Sequence, residues 1–342
     1  MKALITICHK NHTYDPTLSY LFRAFEKVNN VQDCDVVIMP ITYQNEYVAD
    51  EQLMYEIESS GKQIIIVDFV EYGWDIANPT HFFGVNTQAW KNKFQNKEYF
   101  KLDMFIWRNS AKVALYFKRE LVSGSYDNIP YKVLPVEYPG VTTLPEYSPE
   151  QSFEDFSNRP IDIIMTWGLS NPSRPILHGE LVKQSALNGQ HLVSNIDHFT
   201  TCQKRGEKKM VVIAHIPDFA RDSNLKLLHL QSLAKISISM NGCGKKCFRH
   251  SEASYNSVMA LQENNLDWSS PWIHGANCIE LPNRKDSTLV DEVESYNRLM
   301  HYLNLPPNLL YAMYLQGVDN WKNYEVNKYS MDYILKEIKT KI

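Results

Sequence analysis

The chain has 342 residues, 44% of them apolar, and at roughly 150 residues per domain it holds about two domains, each with material for its own core. Its 35 Lys and Arg against 39 Asp and Glu leave a net charge of −4, so no overall positive field draws it to nucleic acid or to an anionic membrane. With Gly 13 and Pro 16 it is no low-complexity chain, and no solenoid-length period recurs, which sets disorder and repeat architectures aside.

The first third alternates short apolar runs with helix-patterned spacers. Ala3–Cys8 reads as a strand, Thr17–Val28 as a helix, Asp35–Pro40 as a strand, Ala49–Ser60 as a helix and Gln63–Phe69 as a strand. Nearly continuous Val, Ile and Met in such strands is what a parallel sheet covered on both faces requires. Val113–Phe117 and Tyr131–Pro135 extend that sheet, and the Pro-, Ser- and acid-rich stretch from Pro139 to Pro160 reads as a linker. The alternation then restarts: Ile161–Thr166 as a strand, Pro175–Leu187 as a helix opened by Asn171 or Ser173, His191–Ile196 and Met210–Ile216 as strands, Asn224–Ala234 as a helix, Lys235–Met240 as a strand. A helix from about Ser251 to Gln262 and a last strand Asn277–Leu281 follow. Asp286–Leu303, Asn308–Leu315 and Asn320–Ile342 are helical in pattern, with Pro306-Pro307 breaking the first from the second.

The expected fold is therefore α/β, two Rossmann-like domains facing a cleft, with the C-terminal helix crossing back to the first. Residues 1–145 form the N-terminal domain, 146–160 the linker, 161–318 the second Rossmann-like domain, and 319–342 the returning helix. The apolar run Ala3–Cys8 is too short for a secretory core and no stretch approaches ~20 apolar residues, so a cytoplasmic protein with at most peripheral membrane association is expected. Six scattered cysteines, several inside predicted strands, read as reduced thiols.

The most informative segment runs from Lys235 to Asn283. Its strand ends at Asn241-Gly242-Cys243-Gly244, followed by Lys245-Lys246-Cys247-Phe248-Arg249 and a helix. Glycines at such a turn let backbone N–H groups approach a phosphate, the helix N-terminus adds about half a positive charge, and Lys246 and Arg249 supply counter-ions. The spacing is neither a Walker A loop nor a full dinucleotide fingerprint, since Cys247 stands where a third Gly belongs. A solvated Gly-rich connection is the plain alternative. Zinc held by Cys243, Cys247, His250, His274 and Cys278 is a rival reading, opposed by the apolar setting of Cys278, which marks it as a buried strand residue.

Ala234–Leu281, with "AKISISMNGCGKKCFRHSEASYNSVMA" and "PWIHGANCIEL", resembles the second half of GT-B glycosyltransferases, particularly the exostosin-like and spore-maturation groups. "YFKREL" at Tyr116–Leu121 and "IDIIMTWGLSNPSR" at Ile161–Arg174 are further matches. The resemblance implies a metal-independent glycosyltransferase without cofactor, whose second domain holds a nucleotide-diphosphate sugar. Arg249 matches the family's basic residue that precedes a helix and meets the diphosphate, and Glu252 its donor-contacting carboxylate. Gly168, Arg174, Gly242, Gly244, Lys246 and Asn256 complete the expected donor-binding set. One departure is Ala260, where many members carry a second Glu, with Glu263 or Glu280 as substitutes at the donor ribose.

The acceptor, a glycan or glycolipid precursor, belongs with the first domain, at loops after its strands and around Trp107-Arg108. An inverting transfer needs a base within reach of the acceptor hydroxyl, and His12, Asp15, Asp68 and Glu71 are the candidates, each taken alone reading more readily as a capping, turn or solvated residue. Tyr72, Trp74 and Trp90 are of the type that stacks on sugar rings. A nucleotide-sugar 2-epimerase, a transferase acting on modified DNA bases and a non-catalytic glycan- or nucleotide-binding protein are compatible with the same architecture.

Overall fold

The computed structural model describes residues 1–6, 23–41, 51–68, 105–119, 121, 129–136, 151–165, 171–187, 224–241, 248–264, 272–325 and 327–342, with the backbone alone at 224–227, 248, 249, 251, 324, 325 and 327–332. Two compact units divide the chain, one built from Met1–Pro139 with Val326–Ile342, the other from Gly140–Asn264 with Ser270–Glu325.

Among the described residues, unit 1 holds a six-stranded, all-parallel sheet of β1 (Lys2–Ile5), β2 (Glu26–Val28), β3 (Val36–Ile41), β4 (Gln63–Asp68), β5 (Val113–Lys118) and β6 (Lys132–Pro135), in the order β2-β1-β3-β4-β5-β6. Successive residues of each inner strand feed opposite faces. Val37, Met39, Ile64, Ile66 and Tyr116 pack with Ile57 of helix α1 (Glu51–Ser60), while Val36, Ile38, Ile65, Val67, Leu115 and Phe117 pack with Ile334 and Ile338 of α8 (Asn327–Lys341). Burial on both faces is why these strands read as unbroken apolar runs. Glu26–Val28, expected as the end of a helix, is instead an edge strand paired with β1, and its largely exposed Glu-Lys-Val carries no strand periodicity.

Among the described residues, unit 2 holds a four-stranded parallel sheet, β10-β9-β8-β7, of β7 (Ile161–Met165), β8 (Ala234–Ser239), β9 (Val258–Gln262) and β10 (Cys278–Leu281). Around it stand α2 (Phe153–Ser157), α3 (Ser173–Leu187), α4 (Asn224–Ser232), α5 (Phe248–Asn256), α6 (Glu292–Leu303) and α7 (Pro307–Asn320). Leu177 and Leu181 of α3, Leu299 of α6 and Met313 and Tyr314 of α7 share one core with Ile236, Ile238, Ala260 and Ile279. Ser237, of the opposite parity to Ile236 and Ile238, accepts a 2.5 Å hydrogen bond from the Ser257 hydroxyl just past α5, so a small residue sits where that helix meets β8.

Three expectations change here. The helix read over Ser251–Gln262 starts earlier, at Phe248, and stops at Asn256; Val258–Gln262 is a fully buried strand between β8 and β10. Met, Ala, Leu and Gln favour helix, yet the gap in the sheet decides. The linker read over 146–160 contains α2, capped by the Ser152 hydroxyl accepting from Asp155 N–H at 3.1 Å and anchored by Phe156 stacked on Tyr314. Asn320–Ile342, read as one helix, is two: the end of α7 passes into a π turn at Trp321–Glu325, and α8 begins at Asn327 as part of unit 1. The strands expected at His191–Ile196 and Met210–Ile216 lie outside the described residues.

Candidate functional site

In a parallel sheet every connection to a following helix leaves from the same edge, so the N-termini of α3 and α5 both lie at the carboxyl edge of β7 and β8, α3 packing on the face of Ile236 and Ile238 and α5 on the face of Ser237. Orphan N–H groups and the two helix dipoles favour an anion at that edge. Asn171 Oδ1 accepts from Ser173 N–H at 2.9 Å and opens α3. Arg249 falls inside the first turn of α5 rather than before the helix, where the dipole disfavours a cation unless an anion compensates it. Glu252, one turn further on, is fully buried.

Several polar side chains join the elements of this edge. The Arg174 guanidinium is buried and donates from Nε to the Asn241 carbonyl at 2.8 Å and from an Nη to the Met240 carbonyl at 3.2 Å. Ser173 Oγ accepts from Val290 N–H at 3.1 Å and from Gln262 Nε2 at 3.2 Å; the same Nε2 donates to Asn283 Oδ1 at 2.8 Å and the Thr288 carbonyl at 2.9 Å. Asn256, expected among the donor contacts, gives its Nδ2 to the Glu252 carbonyl at 2.8 Å and to Gln231 Oε1 at 3.5 Å, against α4. Of the two ribose substitutes, Glu263 stands at the carboxyl edge with Oε2 accepting from Asn283 N–H at 2.9 Å, while Glu280 lies within β10.

At the opposite edge, Arg159 lies 4.6 Å from the Phe156 ring centroid and 4.8 Å from that of Tyr314, and donates to the Ala234 carbonyl at 2.5 Å. Burial pulls its pKa down to about 10. His274 is also at this edge: Nδ1 accepts from Glu280 N–H at 3.0 Å, and burial, then Arg298, holds the imidazole below its usual pKa. The Cys278 thiol is pushed up to about 12 by burial. Among the described residues no group of three or more His, Cys, Asp or Glu is arranged to hold a metal ion; Cys243 and Cys247 lie outside them.

In unit 1, Asp68 closes β4 at the carboxyl edge and is fully buried. Its Oδ2 lies 3.2 Å from Lys118 Nζ, also fully buried at the end of β5, and accepts from Tyr116 OH at 2.5 Å. Lys118 and Tyr116 are not among the expected site residues, although both lie in the "YFKREL" match and Lys118 closes the apolar run Val113–Phe117. Ser173 and Gln262 carried no signal beyond their place at element ends. Trp107 and Arg108, expected with the acceptor loops, are at the amino edge, because the 3₁₀ turn Ser110–Lys112 leads from them straight into the start of β5. There Arg108 pairs with Glu58 at 3.6 Å. His12, Asp15, Glu71, Tyr72, Trp74, Trp90, Gly168, Gly242, Gly244, Lys246 and the Arg249 side chain lie outside the described residues.

No protein-family model matches the sequence, and no curated protein does. Solved structures do. The GtfA/B complex superposes with a TM-score of 0.51 at 10% identity, covering 89% of this chain and 57% of that one. The chain thus spans a little over half of that relative's length. OtsA in its apo form gives 0.51 at 9%, covering 90% and 73%. A UDP-forming alpha,alpha-trehalose-phosphate synthase from Burkholderia vietnamiensis gives 0.51 at 7%, covering 89% and 72%. The fold is the parallel-sheet α/β fold of GT-B glycosyltransferases. Likeness to the exostosin and spore-maturation groups is not among these matches.

Proposed function

We propose that the protein transfers a sugar from a nucleotide-diphosphate donor to a hydroxyl acceptor, a glycan or glycolipid precursor. The observation that carries this reading is the carboxyl edge of unit 2, where α3 and α5 both begin after adjacent parallel strands and a cation, Arg249, occupies the first turn of α5. A diphosphate is the ligand that both dipoles and that cation favour. The likeness of fold to a UDP-forming synthase supports a UDP-sugar as the first donor to try.

In the proposed reaction the acceptor oxygen bonds to the anomeric carbon, the bond from that carbon to the diphosphate breaks, and its electron pair leaves with the diphosphate. Arg249, Lys246 and the N–H groups at the start of α5 stabilise that growing negative charge. Gly242 and Gly244 let the backbone come close to the phosphates, Gly168 does the same after β7, and Glu252 meets the donor sugar or ribose. The acceptor's proton goes to a base in unit 1. Because Asp68 is already engaged by Lys118 and Tyr116, we favour His12, Asp15 or Glu71 for that task. No bound metal is required by this scheme, since fixed cations and helix dipoles take the part of one.

A thermal-shift series with UDP-, GDP-, CMP- and dTDP-sugars, followed by assay of released nucleotide with and without acceptors, tests the proposal. Arg249→Ala and Glu252→Ala are each expected to weaken donor binding or turnover by about 2–4 kcal/mol, the range for desolvated, charge-assisted contacts. Unchanged donor affinity and turnover in both variants would refute the assignment. Consumption of donor with no acceptor and no released diphosphate would replace it with epimerisation.

A further inference from the structure

The first turn of α3 joins the carboxyl edge together through two consecutive side chains. Ser173 reaches the ends of β9 and the start of α6 by way of Gln262 Nε2 and Val290 N–H. Arg174 reaches the end of β8, its Nε donating to the carbonyl of Asn241 and an Nη to that of Met240. Those carbonyls stand at the end of β8, a few residues ahead of Arg249 and Glu252 in the chain. Two donors held in one plane fix both the position and the direction of the end of β8, which a single point charge cannot do.

We propose that Arg174 is a positioning residue for the donor site: it holds the end of β8 at Met240 and Asn241, and acts on the nucleotide sugar through that backbone rather than as a phosphate contact of its own. The proposal rests on the transferase reading above. Desolvation makes the arrangement consequential, because removing the guanidinium leaves buried carbonyls with fewer donors and a polypeptide exit free to shift. Small displacements there are costly, since donor contacts depend on N–H groups placed within a few tenths of an ångström of a phosphate oxygen.

The test uses the full chain with Arg174→Met and Arg174→Lys, read by amide hydrogen exchange and by steady-state kinetics on a UDP-sugar. In Arg174→Met, exchange over the peptide from Met240 to Glu252 is expected to rise by ~10-fold or more, with β9, β10 and α6 unchanged. Donor KM is expected to rise and kcat to fall with it, and Arg174→Lys to restore part of the exchange protection but little of the KM. Loss of donor affinity with exchange over Met240–Glu252 unchanged overturns the proposal in favour of a direct phosphate contact. Faster exchange across all of unit 2 overturns it in favour of a role in stability alone. If the wild-type chain binds no nucleotide-diphosphate sugar by calorimetry, the transferase reading fails and the proposal falls with it, an outcome seen without any variant.

Discussion

Replacing Lys118 with Met removes one half of an ion pair that no solvent reaches. At the observed 3.2 Å and an effective dielectric constant of about 20, the attraction between Lys118 and Asp68 is about 5 kcal/mol, and most of it offsets the cost of burying the two charges. The pair as a whole therefore adds little, whereas either charge alone is expensive. Lys118→Met takes away the buried ammonium that faces the Asp68 carboxylate at 3.2 Å and is expected to cost unit 1 about 3–5 kcal/mol. Asp68→Asn, which can still accept from Tyr116, takes away the carboxylate that faces Lys118 and is expected to cost a similar amount. The double variant should lose less than about 2 kcal/mol, because neither charge remains and the side-chain volumes are nearly kept. Amide exchange in β3, β4 and β5 of the full chain reads these values for unit 1 without assuming that both units unfold together. Additive losses, with a coupling energy under about 0.5 kcal/mol, would refute the argument that the two charges are kept for each other.

Gly317→Ala in α7 places a Cβ 3.2 Å from the Asn277 carbonyl oxygen, a backbone atom that cannot swing aside, so a loss of about 1–3 kcal/mol is expected by chemical denaturation despite alanine's better helix propensity; a stabilised variant would show the helix free to shift. His274 binds a proton less readily when folded than when unfolded, so its contribution to stability is complete above about pH 6.5 and is lost as the pH falls through the lower folded value. Thermal denaturation at pH 7 and pH 5 should show that loss in the native chain and a smaller one in His274→Gln; equal slopes in the two would remove His274 as the cause.

Much of the architecture can be read from the residues themselves. Val36–Ile41, Gln63–Asp68 and Val113–Lys118 carry unbroken apolar runs because both of their faces are covered, and no other local structure of that length makes use of such runs. The helix boundary at Pro306-Pro307 and the opening of α3 near Asn171 follow from chemistry within a few residues of each position. The anion-favouring turn expected after Met240 rests on glycines and cations adjacent in the chain and lies outside the described residues. What could not be read depends on partners far away. Val258–Gln262 is a strand only because β8 and β10 offer it hydrogen bonds on both sides, and Glu26–Val28 only because β1 has an open edge. Arg174, Arg159 and Lys118 are charges that a sequence places in solvent or on a ligand; each is buried because a carbonyl, an aromatic pair or a carboxylate from another element meets it. Propensity and periodicity are properties of a short segment, whereas pairing a charge or filling a gap in a sheet belongs to residues that only folding makes neighbours.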